Sequence, residues 1–457
     1  MVFGEDFIKV PTTKGGIMRL AFRKLLFVVM VISFICVVGY VSAQEATINI
    51  AWAEWDPANF LVQLTKDFTK ETGIKVNVDQ IPWGQFETKV FTTFAAKPDT
   101  YDIVIGDSQW LGKGAVGGHY MDLTNWMKTK KIDTAISPLA LKYLGEYPKG
   151  SKKYYAVPAE TDCNGFAYRK DLFDDPKEKQ AFKAKYKYDL TVPKTYKELR
   201  DIAEFFNRPK ANPPLYGVAL WLAKDYDSVT MGFQQIMWSY GGSYGDEKTY
   251  KVQGVLNSKA GIDALQYYVD LAKFTPPGSE NYYWAESLIA LQQGKVAMGM
   301  DFFAFFPGLL SKEKSRYADK MGFFASPAGP GGRFISIGGQ GMSVSTHSKH
   351  QQEALKFIEW FCKYENQLKW AKLGGFPANA KVLQSPEFQK IAPYNPAFVE
   401  SMKYVRDFWA VPQYAELIQA CQIQWNATVT GQKLPKQAMD DLAKEHEAIF
   451  KKAGFTK

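Results

Sequence analysis

Apolar and polar residues alternate along short segments in the N-terminal half of the chain, and a longer segment between them carries a helical period. The alternating segments are TINIAWAEW from Thr47 and IKVNVDQIPW from Ile74, while YDIVIGD from Tyr101 is an apolar run typical of a buried strand. Between the first two, ANFLVQLTKDFTKETG places apolar residues on one helical face and ends on Gly73, which suits a C-cap. Strands alternating with helices predict an α/β sheet with parallel neighbours.

The second half of the chain repeats this pattern. The predicted elements are a helix over PKTYKELRDIAEFF, a strand over LYGVALW, a helix over DSVTMGFQQIMWSYGG, a strand over KVAMGMDFF, one long helix over EALKFIEWFCKYENQLKWAKLGG (353–375) and a terminal helix from Pro435 to Gly454. Thr195 and Glu198 have the spacing of a capping box at the first of these helices. Because no low-complexity linker separates the two halves, we expect two α/β lobes joined by rigid crossovers.

The first 43 residues have the features of a secretory signal. From Met18, the basic stretch MRLAFRK is followed by an apolar core of fourteen residues (25–38) and by small residues at Val41 and Ala43. This core is shorter than the roughly 20 residues that span a bilayer. We therefore expect cleavage after Ala43 and a periplasmic location, with residues 1–17 lying upstream of the true start. An uncleaved signal anchor is the alternative.

Length, charge and cysteine count limit the remaining possibilities. The 414 residues after Ala43 exceed one ordinary core, so two domains are expected. The formal charge of +9 falls to +6 without residues 1–43, and no basic cluster indicates a nucleic-acid partner. Cys163, Cys362 and Cys421 form no disulfide framework, and the sequence leaves open whether any two of them pair. The four histidines lack metal-ligand spacing, so neither a metal nor a cofactor is predicted.

Polar and aromatic side chains follow the predicted strands, at the edge where open α/β sheets bind their ligands. Most of these strand ends offer an aromatic residue beside a carboxylate or a carboxamide. The residues at these positions are Glu54, Trp55, Asp56, Pro82, Trp83, Gln85, Asp107, Gln109, Trp110, Glu160, Asp162, Asn164, Trp221, Asp301, Phe302 and Phe303.

This pairing of residue types suits a sugar or a polyol. Such a solute packs its C–H faces on aromatic planes, and its hydroxyl groups donate to carboxylates, which only accept. Glu160 with Asp162 also fits the paired carboxylates of a glycosidase, but nothing in the sequence indicates a catalytic separation between them. Cys163 has no histidine base nearby and is interpreted as a small buried side chain. The sequence therefore favours binding over catalysis.

Six segments of the chain resemble the extracellular solute-binding proteins of carbohydrate ABC transporters, the group that includes the maltose-binding protein. They are ETGIKVNVDQIPWGQFETKV, YDIVIGDSQWL, YYAVPAETDCNGFAYRKDLF, PKTYKELRDIA, GKVAMGMDFF and FWAVPQYAEL. The segments follow one another along nearly the whole chain after Ala43. The resemblance implies the α/β, two-lobed periplasmic binding protein fold of type II, with crossover segments between the lobes and a ligand cleft between them.

The resemblance also implies where the lobes divide and what the protein does. One lobe would comprise residues 44–158 and 342–385, and the other would comprise residues 159–341 and 390–457. The implied function is that of a monomeric, non-enzymatic carrier of an ABC importer. It would capture a sugar by hinge closure and deliver it to the membrane permease subunits.

Carried over residue by residue, the resemblance supports ligand contacts at several strand ends and adds others. It implies contacts from Glu54, Trp55, Asp107, Trp110, Glu160, Asp162, Phe302 or Phe303, and Trp409, with Trp221, Trp284, Gly339 and Gln340 as further candidates. Trp83, Gln109 and Asp301 are candidates from their strand ends alone.

Three other functions stay open at this point. A secreted glycoside hydrolase would use the same carboxylates for turnover, and a chemoreceptor partner would bind the same solute without transporting it. A polyamine-binding transport protein also fits the mixture of aromatic residues and carboxylates. The sequence does not distinguish a monosaccharide, an oligosaccharide and a polyol.

Overall fold

The structure is a computed structural model that describes residue 1, residues 46–225 and residues 227–456. The predicted signal peptide and its cleavage site lie outside these residues. From Thr47 onward the chain forms one compact unit. Within the described residues, no helix combines the length and the apolar character that crossing a membrane requires.

The strands are short and fall into two main sheets and one small ribbon. In chain order they are β1 (Thr47–Ala53), β2 (Lys75–Ile81), β3 (Ile103–Asp107), β4 (Val157–Glu160), β5 (Asn164–Arg169), β6 (Tyr216–Ala219), β7 (Val296–Phe302), β8 (Met321–Ala325), β9 (Ile335–Ser336), β10 (Gln340–Val344) and β11 (Val405–Arg406).

Helices fill the connections between the strands. The α-helices are Asp56–Thr72, Trp83–Ala96, Leu111–Val116, Thr124–Thr129, Ile132–Ala135, Pro138–Leu144, Lys170–Asp174, Pro176–Tyr186, Tyr196–Phe206, Ser228–Ser239, Lys259–Ala272, Trp284–Gln292, Pro307–Leu310, Gln351–Phe361, Tyr364–Leu373, Ala380–Gln384, Pro386–Ile391, Asn395–Ser401, Tyr414–Val429 and Pro435–Lys452. Short 3₁₀ turns occupy Ser108–Trp110, Ser279–Asn281, Phe303–Phe305 and Ala318–Lys320.

The first sheet has the order β2-β1-β3-β10-β4. β1 is parallel to both β2 and β3, as the alternation of strands and helices predicts. β10 enters late in the chain and runs antiparallel between β3 and β4, where Gln340 pairs with Asp107 on one side and with Glu160 on the other. This strand therefore places three candidate site residues side by side at one end of the sheet.

The second sheet has the order β6-β7-β5-β8, with β5 antiparallel to both of its neighbours. The chain passes from the first sheet to the second between β4 and β5, and it returns between β8 and β10. β9 lies on that return and pairs in parallel with β11, which comes from late in the chain. The mixed α/β class is confirmed, while the residue bounds of the two predicted lobes stay a prediction.

Several predicted helices form with their expected ends. The helix Asp56–Thr72 buries Leu61, Leu64 and Phe68, and it ends at Gly73, whose φ of 75° is left-handed and favours glycine. Thr195 and Glu198 form the complete capping box at the start of the helix Tyr196–Phe206. Local spacing thus predicts helix ends well where a cap residue stands beside an apolar period.

The prediction of one long helix over 353–375 is wrong. The chain forms two helices, because Lys363 leaves the helical conformation (φ −61°, ψ 144°) between Phe361 and the second helix. The Nδ2 of Asn366 donates to the Trp360 carbonyl oxygen at 2.7 Å, which satisfies a carbonyl at the end of the first helix. The apolar period continues across the break, because Phe361 of the first helix packs on Trp370 of the second.

Candidate ligand-binding site

A cavity lies where loops from both sheets converge. It encloses about 660 Å³ counted out to its open mouth, which is within the range of about 300–1,000 Å³ typical of small-molecule sites. Its wall is formed by Ala53, Glu54, Trp55, Trp83, Asp107, Gln109, Asp162, Asp227, Met231, Tyr283, Trp284, Phe302, Phe305, Ile337, Gly338 and Gln340. We call it the acidic cavity, because its described wall has four carboxylates and no Lys, Arg or His.

The strand order explains why these residues meet. Glu54 and Trp55 follow β1, Trp83 begins the helix after β2, and Asp107 ends β3. β1, β2 and β3 are parallel, so their carboxyl ends lie at one edge of the first sheet. β10 delivers Gln340 to the same edge, because Gln340 is paired with Asp107.

Asp107 is held by the short turn that follows β3. Its Oδ1 accepts hydrogen bonds from the backbone N–H of Gln109 at 3.0 Å and from the Ser108 hydroxyl at 3.1 Å. Burial, reinforced by nearby Asp407 and opposed by the Gln109 hydrogen bond, raises the pKa of Asp107 to about 7. Burial therefore favours the protonated form of this carboxyl group.

Asp227 reaches the cavity from the N-terminal end of the helix Ser228–Ser239. Its Oδ1 accepts a hydrogen bond at 2.9 Å from the Nε2 of Gln109, which lies 118 residues away in the sequence. Burial, followed by the charge of Asp107, raises the pKa of Asp227 well above its usual value. Gln109 thus links two carboxyl groups that come from different parts of the chain.

Asp162 lies in the passage from the first sheet to the second. Its Oδ1 accepts hydrogen bonds from the backbone N–H groups of Cys163 at 2.8 Å and of Ala304 at 3.2 Å. Burial outweighs these hydrogen bonds and raises the pKa of Asp162 to about 8. Asp162 therefore lines the cavity from the segment that joins the two sheets.

Stacked aromatic rings form the apolar part of the wall. Trp284 stacks on Phe305, with ring centroids 4.7 Å apart and an interplanar angle of 2°. Trp83 stacks on Trp110 with centroids 5.8 Å apart. Such backing fixes the orientation of the rings and leaves flat surfaces on which the C–H groups or the charge of a solute can pack.

The acidic cavity brings together nine of the residues that the sequence singles out. They are Glu54, Trp55, Trp83, Asp107, Gln109, Asp162, Trp284, Phe302 and Gln340. Their roles in binding remain a prediction.

Six other predicted contacts lie near the acidic cavity but outside its wall. Trp110 is buried behind Trp83, and Trp221 packs edge-on against Phe302 at 4.8 Å. Both tryptophans therefore support wall residues instead of forming the wall. Phe303 is buried against Phe376 and Phe398.

The other three of these six are Asp301, Glu160 and Gly339, which lie in or beside the strands near the cavity. Asp301 precedes Phe302 on β7 and is buried. Successive side chains of a strand point to opposite faces, so Asp301 points away from the cavity that Phe302 lines. Glu160 is buried, and both of its carboxylate oxygens accept from the backbone N–H of Phe376. A Cβ at Gly339 would lie 2.2 Å from the Glu160 carbonyl oxygen, so this glycine serves a close backbone approach.

Trp409 lies in a second cavity of about 590 Å³. This cavity is lined by Tyr147, Pro148, Lys149, Trp238, Ser243, Tyr244, Gly245, Glu247, Tyr250, Arg406, Asp407, Phe408, Trp409, Ala410 and Val411. Lys149 lies 3.9 Å from Asp407, and Arg406 lies 3.5 Å from Glu247. We call it the charge-balanced cavity, because its two cations face its two carboxylates.

Seven residues of the acidic cavity were not predicted from the sequence. They are Ala53, Asp227, Met231, Tyr283, Phe305, Ile337 and Gly338. Most lie in helix starts and loops, where no strand period marks them. The sequence gives a signal for two of them: Asp227 is a carboxylate at the first position of a predicted helix, and Gly338 belongs to a glycine pair. A Cβ at Gly338 would lie 2.3 Å from the Phe302 ring.

The described residues contain no group of three or more His, Cys, Asp and Glu side chains arranged to hold a metal ion. Cys163, Cys362 and Cys421 are not joined by disulfides. The wall of the acidic cavity offers a ligand acceptor oxygens and aromatic faces.

Comparisons with known proteins identify the class to which this architecture belongs. A family model of bacterial extracellular solute-binding proteins matches residues 54–368. A probable amino-acid ABC transporter periplasmic-binding protein of Sinorhizobium fredii is 24% identical over 406 residues, covering 87% of this chain and 88% of that protein. The erythritol/L-threitol-binding protein of Mycolicibacterium smegmatis is 23% identical over 379 residues, covering 79% of this chain and 76% of the relative.

Solved structures give the same answer for the fold. The ribitol complex of an ABC transporter solute-binding protein from Agrobacterium radiobacter is 26% identical, with a TM-score of 0.74, and the match covers 89% of this chain and 99% of that one. Maltose-bound MalE3 of T. maritima is 23% identical with a TM-score of 0.74, and the match covers 88% of this chain and 100% of that one. The predicted two-lobed type II periplasmic binding protein fold is confirmed, and the chain belongs to the family of bacterial extracellular solute-binding proteins.

Proposed function

We propose that this protein binds a small polyhydroxylated solute, a polyol or a sugar, in the acidic cavity and delivers it to the permease of an ABC importer. The observation that carries the proposal is the composition of the cavity wall, in which acceptor carboxylates lie beside stacked aromatic rings. Hydroxyl groups of the solute donate to Asp107, Asp162 and Asp227, and its C–H groups pack on the aromatic rings. Two relatives support this choice, because one binds ribitol and the other is named for erythritol and L-threitol.

Contacts from both sheets would favour a closed form, because a ligand that touches two lobes binds the closed form more tightly than the open one. Glu54 and Asp107 come from the first sheet, while Phe302 comes from the second. A monomeric state, a periplasmic location and docking on permease subunits complete the proposal. The predicted signal peptide and the family membership support this location.

The relative from Sinorhizobium fredii carries a name that favours amino acids instead. An amino acid has a carboxylate, which proteins usually bind with Arg, Lys or helix N-termini. The described wall of the acidic cavity has no basic side chain, so we prefer a solute without a carboxylate.

A thermal-shift screen tests this proposal. Residues 44–457 contain the whole compact unit that begins at Thr47. We expect ribitol, erythritol, D-mannitol or a simple sugar to raise the melting temperature, because a ligand that binds only the folded state stabilises it. Stabilisation by amino acids alone, with no polyol or sugar active, would contradict the proposal.

A further inference from the structure

We propose that the solute carries a positive charge, and that its ammonium group binds between Asp107 and Asp227. This inference rests on the proposed function and narrows it to aminated polyols and amino sugars. The polyols that two relatives bind, ribitol and erythritol or L-threitol, carry no charge. The inference depends on how the two carboxylates are held, on what surrounds them and on one unpaired acceptor beside them.

A single residue holds the two carboxylates together. The backbone N–H of Gln109 donates to Asp107 at 3.0 Å, and the Nε2 of the same residue donates to Asp227 at 2.9 Å. Both carboxylates are nearly buried, with relative exposures of 8% and 5%, and both line the cavity. The hydrogen bonds that described residues donate to Asp107 and Asp227 end on the Oδ1 of each carboxylate, and all of these donors are neutral.

The charges around this pair do not neutralise it. Asp107 also feels the charges of Asp407 and Glu87, which are both negative. The cations nearest to those two groups are engaged: Lys149 lies 3.9 Å from Asp407, and Lys113 lies 2.6 Å from Glu87. A buried carboxylate pair without a cation is costly in free energy. A cationic ligand neutralises the ionised pair, and a neutral ligand does not.

Burial favours the protonated form of these carboxyl groups, which lowers this cost. Burial and mutual repulsion raise the pKa of both carboxyl groups. Tyr283 lies close to the same pair. Burial, and then the charges of Asp227 and Asp107, raise the pKa of its hydroxyl group. When an ammonium group binds, the carboxyl groups release protons to the solvent, and the ammonium group then neutralises the carboxylates.

Gln340 provides an independent sign of a missing donor. Its relative exposure is 4%, it lines the cavity, and its Nε2 donates to the Gly338 carbonyl oxygen at 3.0 Å. Its Oε1 has no hydrogen-bond partner among the described residues. Buried acceptors are almost always paired, so a donor from the ligand is expected here. An ammonium group has three N–H donors, while each hydroxyl group has one.

The aromatic wall suits a cation as well as a sugar. Trp284, Trp83 and Tyr283 line the same cavity as the carboxylate pair. A cation within about 6 Å of an aromatic face is attracted to it, and most strongly to tryptophan. The polyol chain of the solute would occupy the remainder of the cavity, near Asp162.

Two compounds that differ only in charge test the inference. D-glucitol and 1-amino-1-deoxy-D-glucitol share a carbon chain and differ at one position, which carries a hydroxyl group in the first and an ammonium group in the second. We expect isothermal titration near neutral pH and at low salt to show that the amine binds about ten- to a hundredfold more tightly, which is the range of one charge-assisted hydrogen bond. Asp227→Asn should abolish this preference, while Glu247→Gln in the charge-balanced cavity should retain it.

Every outcome of this experiment decides between the two proposals. If D-glucitol binds as tightly as the amine or more tightly, the inference is overturned and the proposed function stands. If the amine and putrescine bind while no neutral polyol or sugar does, the charge inference stands and the polyol function fails. If none of these compounds binds, both are overturned. The comparison on the wild-type protein decides the question even if Asp227→Asn does not fold.

Discussion

The two cavities of this protein have similar volumes and similar numbers of aromatic residues, but only one of them has basic side chains beside its carboxylates. In the charge-balanced cavity, Lys149 lies beside Asp407 and Arg406 lies beside Glu247. In the acidic cavity, Gln109 donates to both Asp107 and Asp227, and the described donors to this pair are all neutral. The two sites are close enough for Asp407 to raise the pKa of Asp107. Because the volumes are similar, charge is what distinguishes the proposed ligand site from the other cavity.

This difference has a simple physical basis. An ion pair inside the protein satisfies its own charges and gains little from a solute. Carboxylates that have only neutral hydrogen-bond donors gain from any further donor, and they gain most from a cation. The comparison therefore predicts that substitutions in the acidic cavity change binding and that matched substitutions in the other cavity do not.

The largest expected effect is that of Asp107→Asn. This substitution keeps the shape of the side chain but removes its charge, and we expect solute binding to weaken about ten- to a hundredfold. Isothermal titration with the tightest solute from the screen measures the change. Glu247→Gln is the matched control, and equal losses in both variants would refute the distinction between the cavities.

The next effect is a dependence of binding on pH. Asp107 has a pKa raised to about 7 by burial and faces Glu87, Asp227 and Asp407, the last of which is paired with Lys149. A raised pKa means that the carboxyl group is mostly protonated at lower pH and loses its proton as pH rises. The affinity for 1-amino-1-deoxy-D-glucitol should therefore increase roughly tenfold from about pH 6 to about pH 8.

Titrations at a series of pH values, in two buffers with different ionisation enthalpies, check this dependence and count the protons released. The pKa of Asp162 is raised to about 8 by burial, near Glu160 and Asp301, so it adds to the same trend. An affinity for the amine that is constant or falls across this range would contradict the expected proton release.

The smallest expected effect concerns the aromatic wall. Trp284→Ala removes a ring that stacks on Phe305, and we expect a loss of a few-fold in affinity, corresponding to about 0.5–1 kcal/mol for one aromatic contact. Trp409→Ala in the charge-balanced cavity is the control and should leave affinity unchanged. Fluorescence titration of both variants, after their melting temperatures have been compared, distinguishes lost contacts from lost folding.

The site could be predicted from the sequence where a strand period ends on a polar residue. Glu54, Trp55, Asp107 and Gln109 follow β1 and β3, and all four line the acidic cavity. Parallel strands bring their carboxyl ends together whatever the rest of the fold does, so this part of the prediction needed no tertiary information.

The rest of the site depends on contacts between distant segments. Asp227 meets Asp107 only through Gln109, and the separation of 118 residues leaves no local pattern. Asp301 and Phe302 are both predicted contacts, but they are neighbours on one strand, so their side chains point to opposite faces. The sequence does not indicate which of these faces lines the cavity. The break after Phe361 is hidden for a different reason, because the apolar period continues through it.

The most direct test of the account is a crystal structure of the protein with the tightest solute from the screen. We predict electron density for the solute in the acidic cavity, with a donor group within hydrogen-bond distance of both Asp107 and Asp227 and a face of the solute against Trp284. Density in the charge-balanced cavity beside Trp409, with the acidic cavity unoccupied, would contradict the account.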